Sequence, residues 1–375
     1  MPEYRVESVK VTDLKSLRKF WLELQQRADC SFFQSWGWIG AWVEKVAAGL
    51  NLILIKVWDH DDLVGLGLFV TGDIKRHAII HSRTMFLNEY PLEGKNMVIE
   101  YNGLLAARGC ENTVYLSVVR FLIREFNEQD EFVFSAVTED TCFNHLLDIK
   151  LNDSKFIIKE SSRAWFVDLA GIPDNVDEYL ATLSKNRRAQ IRRSIRLYER
   201  EGALQISEAQ NIEEAQAFYD GLKALHTQRW LSKGQPGSFA NTQWEAFHRA
   251  LIQNRFDTGE IQLLKVSHDS AVIGFLYNFV WRKHVYVLQT GFADSADKRL
   301  MPGYVTHVLA ILYNKSKGLS VYDLMHGDSL YKKLLCNNSQ KLLWVVLQRR
   351  RLSFLVEKLA VDMVRGLRKM TRCGY

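Results

Sequence analysis

The sequence predicts an α+β chain of two similar halves, each a mixed, mostly antiparallel sheet flanked by helices. Three observations carry this reading. The 375 residues exceed what one hydrophobic core usually organises. Strand-like runs come in hairpin-spaced pairs: NLILIKVW at 51–58 with LVGLGLFVTG at 63–72, and EIQLLKVSHD at 260–269 with AVIGFLYNFVW at 271–281. In both halves these strands lead into an amphipathic helix and then a further strand.

In chain order, Asp13 to Gln26 is helical in pattern, and CSFFQSWGWIGAWVEKV gathers Phe33, Trp36, Trp38 and Trp42 into an aromatic helix with a packing face. After the first hairpin, NMVIEYNGLL at 96–105 and DEFVFSAV at 130–137 carry strand signals around TVYLSVVRFLIREF, whose apolar spacing suits a helix on a sheet. The second half opens with the strand SRAWFVDLAG, a charged helical zone from Val176 to Glu201, a helix from Ile212 to Trp230 and, after a loop, the helix NTQWEAFHRALIQN. Its hairpin turns through His268, Asp269 and Ser270, and KHVYVLQTGF supplies a third strand. PGYVTHVLAILYNKSKG reads as a helix stopped at Gly318, and LSVYDLMHGD as a strand. The expected division is an N-terminal half at 1–160, a C-terminal half at 161–340 and a basic tail at 341–375.

A composition of 47% hydrophobic and 25% charged residues with five prolines is that of a packed globular chain. Apolar runs such as Ala271 to Trp281 and Leu342 to Leu347 fall short of the ~20 residues that cross a bilayer, and the charged N-terminus is no secretory signal, so a cytoplasmic location is expected. Cys30, Cys110, Cys142, Cys336 and Cys373 form no CxxC pair, which argues against disulfides and a structural metal. Of the formal charge of +6, residues 341–375 hold nine Lys or Arg against Glu357 and Asp362, leaving a nearly neutral body. That balance disfavours a dedicated nucleic-acid binder.

Three constellations carry chemistry. In QTGFADSADKRLMPGYVTHV, Pro302 suits a first helical turn, Gly303 adds no side chain, Tyr304 follows, and Lys298 and Arg299 add charge, so the segment is either a diphosphate site at a helix N-terminus or an ordinary helix start. In VYDLMHGDSLYKKLL, Asp328 or His326 is the candidate base and Tyr331 the candidate acid, with Lys332 beside them; the same run equally suits a solvated turn. In LSKNRRAQIRRSIRLYEREG, Lys185, Arg188, Arg192 and Arg196 share one helix face opposite Ile191, Ile195 and Tyr198, either as a solvated face or as an anion-binding one.

These segments, with FFQSWGWIGAW at 32–42 and HTQRWLSKGQPGSF at 226–239, follow one another in an order that resembles the CelD-type acyltransferases of the GNAT superfamily, a group linked to cellulose and exopolysaccharide biosynthesis and related to the Fem aminoacyltransferases. The resemblance implies tandem GNAT folds, the first degenerate, with acetyl-CoA or another acyl-CoA as co-substrate in the second. Direct transfer requires no metal, and a small or sugar-containing acceptor is expected at the interface between the halves, with Arg229 and Trp230 as lining candidates. Only Arg299 and Gly303 echo the phosphate-binding turn of typical members. That departure keeps two alternatives open: a Fem-like transferase taking its acyl group from aminoacyl-tRNA, and a non-catalytic accessory protein of polysaccharide synthesis.

At the C-terminus, Leu352, Leu355, Val356, Leu359, Met363, Val364 and Leu367 mark one helical face, with Arg351, Lys358, Arg365, Arg368, Lys369 and Arg372 largely off it. The pattern suits either a helix lying on an anionic membrane surface or a terminal helix covering its own domain.

Overall fold

The computed structural model describes residues 4–76, 80–90, 97, 99–139, 145–269 and 271–372, with side chains to 363. Among the described residues thirteen strands form one sheet in the order β1-β2-β3-β4-β6-β13-β7-β12-β11-β10-β9-β8, with β5 (Leu105–Ala106) off this path against β3. The N-terminal half supplies β1 (Arg5–Lys10), β2 (Leu52–Asp59), β3 (Asp62–Arg76), β4 (Ile80–Leu87) and β6 (Glu131–Thr138). The C-terminal half supplies β8 (Leu204–Glu208), β9 (Ile261–His268), β10 (Ala271–Trp281), β11 (His284–Phe292) and β12 (Val321–His326).

Each half repeats one pattern: four antiparallel neighbours, then a helix leading to a strand parallel to the fourth. The helix is α3 (Glu111–Glu125) between β4 and β6, and α8 (Pro302–Ser316) between β11 and β12. This is the mixed, mostly antiparallel sheet that the hairpin pairs predict. The halves then exchange strands. β7 (Ser154–Asp168), next in sequence after β6, lies against β12, and β13 (Asn338–Arg349), last of all, lies against β6. β7 and β13 pair with each other over 12 residue pairs.

The segment from Lys341, expected to begin a tail, thus starts inside a strand in the middle of the sheet, supplying nine of the twelve residues of β13 before the chain turns into the terminal helix. A strand with both faces covered reads as a continuous apolar run without alternation, and here charged flanks disguise it. The described part of NMVIEYNGLL also departs from expectation, with only Leu105 extended in a strand; Asn96 and Val98 lie outside the described residues, as do Ser270, Cys142 and Cys373. Cys30, Cys110 and Cys336 are free thiols. Among the described residues no helix is long and apolar enough to cross a membrane.

The remaining helices are α1 (Leu14–Arg27), α2 (Trp36–Lys45), α4 (Val176–Thr182), α5 (Lys185–Glu199), α6 (Ile212–Leu231), α7 (Thr242–Arg255), α9 (Leu330–Leu335) and α10 (Leu352–Arg372). Asn175, Asn211 and Asn241 accept backbone N–H groups at the starts of α4, α6 and α7, which satisfies donors those first turns leave open. The aromatic helix α2 packs beside α7, where Trp38 meets Phe247 edge-on at 5.1 Å and Phe279 of β10 at 5.9 Å, so the two halves share a core. At Gly291 of β11 a Cβ would lie 2.6 Å from the Leu222 carbonyl oxygen, so only glycine lets α6 approach this strand.

Where the exchanged strands meet, Glu131 collects Arg76 Nη1 at 2.9 Å, Ser82 Oγ at 2.9 Å and Gln348 Nε2 at 2.8 Å, and Arg76 Nε reaches both Glu357 oxygens of α10 at 3.1 Å. Replacing Arg76 by Met would leave two buried carboxylates facing one another. Urea unfolding should show a loss of about 3–5 kcal/mol, partly restored by adding Glu131→Gln and Glu357→Gln.

Candidate active site

β11 and β12 run parallel for only three residue pairs, from His284↔Val321 to Tyr286↔Asp323, and then diverge. The opening between them is a cleft of about 890 Å³ that continues over the start of α8 and the end of α6. Its walls include Val287, Leu288 and Phe292 of β11, Leu324 of β12, Pro302, Gly303 and Tyr304 of α8, and Arg229 and Trp230 of α6. This size is ordinary for a small-molecule site.

Local sequence explains why the cleft faces a helix end. Pro302 takes the first turn, Met301 at the N-cap offers no capping side chain, and the Met301 N–H itself is consumed by Ser194 Oγ at 2.8 Å. The N–H groups of Gly303 and Tyr304 therefore remain as donors at the positive end of a 15-residue helix. A Cβ on Gly303 would press on the Phe292 ring at 3.1 Å, so glycine keeps this wall and the helix start close. Arg229, Lys233, Lys298 and Lys332 line the cleft against a single carboxylate, Asp294. Arg187 lies over the Tyr304 ring at 4.6 Å, and Arg229 over Phe292 at 5.9 Å. The site favours an anion.

Burial holds Tyr331, His307 and His226 beside the cleft in their neutral forms. It pushes the Tyr331 hydroxyl up to about 12 and lowers the Lys332 ammonium. Burial, aided by Lys332, lowers His307 to about 3, and burial aided by Arg229 lowers His226 to about 4. His307 meets the Tyr322 hydroxyl through Nδ1 at 2.9 Å, stacks on Tyr331 with ring centres 5.6 Å apart, and leaves its buried Nε2 without a protein partner. Lys332 Nζ donates to the His326 carbonyl at 2.6 Å.

The structure separates residues that the sequence groups together. Lys298, Pro302, Gly303, Tyr304, Arg229, Trp230, Tyr331 and Lys332 line the cleft. Arg299 turns away into a two-oxygen pair with Asp297, which drives that carboxyl down to about 2. Asp328 is 76% exposed and paired with Lys333 at 3.1 Å, so it is no buried base. His326 Nδ1 is held by Glu100 Oε1 at 2.6 Å, a contact between the halves rather than a group facing the cleft. Arg192 is paired with Asp177 at 2.7 Å, and neither it nor Arg188 lines the cleft; Arg187, one position earlier, is the residue of α5 that reaches Tyr304. Sequence reasoning missed His307, although its spacing of four from Gly303 places both on one face of α8.

Beneath the cleft, the halves meet on Asp323. This fully buried carboxylate accepts Tyr101 OH at 2.5 Å, the Met325 N–H at 2.6 Å, and faces His284 Nε2 at 3.0 Å. Met325 adopts a left-handed φ of 62° beside the irregularity in the β12–β7 register. Its N–H bond to Asp323 compensates that strain. His284 and Tyr101 line a second cleft of about 680 Å³ between the halves.

The equivalent opening in the N-terminal half is filled. Asn102 makes a parallel bridge to Val137 of β6, and its Nδ2 donates to the Leu87 carbonyl of β4 at 2.9 Å. Asn88 Nδ2 braces it through Asn102 Oδ1 at 3.0 Å.

Residues 185–333 match the family described as "Acetyltransferase (GNAT) domain". This segment is similar to GNAT acetyltransferase domains. The match spans α5 to α9 and so contains the diverging strands and the open cleft. Among solved structures, the chain is similar to FemX at 10% identity, with a TM-score of 0.55 and coverage of 94% of this chain and 99% of that one. It is also similar to L-PGS from Bacillus licheniformis at 11% identity, with a TM-score of 0.52 and coverage of 92% and 96%. A third likeness is to the C-terminal domain (DUF2156) of a putative lysylphosphatidylglycerol synthetase from Agrobacterium fabrum, at 9% identity, with a TM-score of 0.52 and coverage of 94% and 96%. At these identities the likeness is one of fold. No curated protein matches the chain.

The Glu100 carboxylate bonded to His326 raises that imidazole above its ordinary value of 6.5. A raised histidine contributes stability fully below its ordinary pKa and loses it as pH rises through the folded value. The stability gap between wild type and Glu100→Gln in urea unfolding should therefore be larger near pH 5.5 than near pH 8.5, by about 1 kcal/mol or less at this partly exposed site.

Proposed function

We propose that the chain is an acyltransferase that moves an acyl group from a coenzyme A thioester to an amine or hydroxyl acceptor. The observation that carries this reading is the uncapped, cation-lined start of α8 at the point where β11 and β12 diverge. The N–H groups of Gly303 and Tyr304, with Lys298 and Arg187, would hold the diphosphate. The thioester supplies an activated carbonyl and a sulfur leaving group. Tyr331, protonated at neutral pH because of its burial, holds a proton at Oη for the leaving sulfur. The acceptor's proton passes back to the Tyr331 oxygen once the thiol has left, so no net charge accumulates. His307 offers its unpartnered Nε2 to an oxygen in the cleft.

The acceptor is proposed to be small or sugar-containing, entering past Arg229 and Trp230, in envelope polysaccharide metabolism as the sequence resemblance suggests. One feature favours a second reading. The five arginines of α5, with Arg187 at Tyr304, would suit an aminoacyl-tRNA donor.

Calorimetry with coenzyme A and acetyl-CoA separates the two readings. Micromolar binding that Gly303→Glu weakens by at least about tenfold, or ~1.4 kcal/mol, supports the thioester donor. Failure to bind either, together with tRNA binding that weakens steeply with salt, would move the assignment to the second reading. Once an acceptor is in hand, Tyr331→Phe should lower kcat by about 100-fold with thioester affinity unchanged; unchanged kcat would remove Tyr331 from proton transfer.

A further inference from the structure

Helix α10 presents two opposed faces. At 100° per residue, Phe354, Glu357 and Val361 fall on one side, while Leu352, Leu355, Val356, Leu359 and Met363 fall within an arc of about 100° on the other. The first face docks the helix: Phe354 and Glu357 are buried, Arg76 binds both Glu357 oxygens, and its guanidinium lies over the Phe354 ring at 5.3 Å. The second face points outward, with exposures from 54% at Leu355 to 82% at Leu352. The helix therefore does not use its apolar stripe to cover its own domain. Side chains beyond Met363, including Val364, Leu367, Arg365, Arg368, Lys369 and Arg372, lie outside the described residues.

Five large apolar side chains aligned on one solvent-facing stripe are a surface built to be covered. Charge selects the cover. Residues 341–375 contain nine Lys or Arg and only Glu357 and Asp362 as acids. Glu357 is consumed inward by Arg76, and although Lys341 and Arg351 pair with Glu139 and Asp130, the helix and its approaches keep an excess of positive charge that includes exposed Arg350 and Lys358. A second copy of this helix would bring like charges together. A surface carrying negative charge over an apolar interior meets both demands.

We propose that α10 lies in the surface of an anionic lipid bilayer, its Leu352–Leu355–Val356–Leu359–Met363 stripe among the acyl chains and its basic residues at the headgroups. The Arg76–Glu357 clasp makes the attachment rigid, so the body sits in a fixed orientation to the membrane.

Co-sedimentation of the full chain with phosphatidylcholine vesicles, with and without phosphatidylglycerol, tests this. Expected are binding at least about tenfold tighter to the anionic vesicles, weakening with salt, and loss of that binding in Leu355→Glu/Leu359→Glu. Both positions are exposed, so the variant should keep the wild-type Tm, and wild-type coenzyme A affinity would further show that its fold is intact. Absence of wild-type binding, binding that survives the double substitution, or a dimer in light scattering that the substitution dissociates would each overturn the proposal, the last by naming a second copy as the cover.

Discussion

The antiparallel ladder between β7 and β13 is the constraint from which the remaining architecture follows. Each half ends on a strand that completes the other half's sheet, so neither has a closed set of hydrogen bonds alone. A sheet interrupted here would expose two long rows of backbone donors and acceptors. The ladder also brings Glu131 of β6 to Gln348 of β13, and holds β12 beside β7, so that Asp323 reaches Tyr101 across the halves. Two copies of one pattern are thus locked in register, but only one of their openings is free. Asn102 spans the N-terminal gap between β4 and β6 with backbone and amide hydrogen bonds, whereas β11 and β12 are joined by the His284–Asp323 contact only where they still pair and diverge beyond it.

Within the open cleft, a ligand would meet fixed dipoles and buried neutral groups beside the lining cations, in place of the exposed Asp328 and Arg299 that the sequence suggested. An exposed pair such as Arg299–Asp297 is largely screened and spends the arginine locally. The N–H groups at the start of α8 are not spent, and they need no counterion to stay in place. Burial then keeps Tyr331 protonated and His307 uncharged, so both can meet a ligand's oxygen or sulfur without first shedding an ion.

The fold was legible where hydrogen-bonded neighbours are also sequence neighbours. The hairpins β2–β3 and β9–β10 announce themselves through turn residues and spacing, and α8 through Pro302 and Gly318. β13 was hidden because its partners lie 172 to 217 residues away, and no local signal marks a long-range pairing. The site divided on the same line. Pro302, Gly303 and Tyr304 were visible as a helix start, but the sequence could not show that Asp328 faces solvent or that His326 is held by Glu100, some 226 positions upstream. Titratability is written in the sequence; direction is set by the fold.

The exchanged strands bear on how the chain is made. β6 and its neighbours leave the ribosome long before β13, which is the last strand to emerge. The early half must wait, with a sheet edge unfilled, for more than 190 residues to be synthesised. A chain stopped before β13 would lack a finished sheet in both halves. The sheet therefore closes only once β13 has been made, which ties the folding of the early half to the synthesis of a strand far downstream.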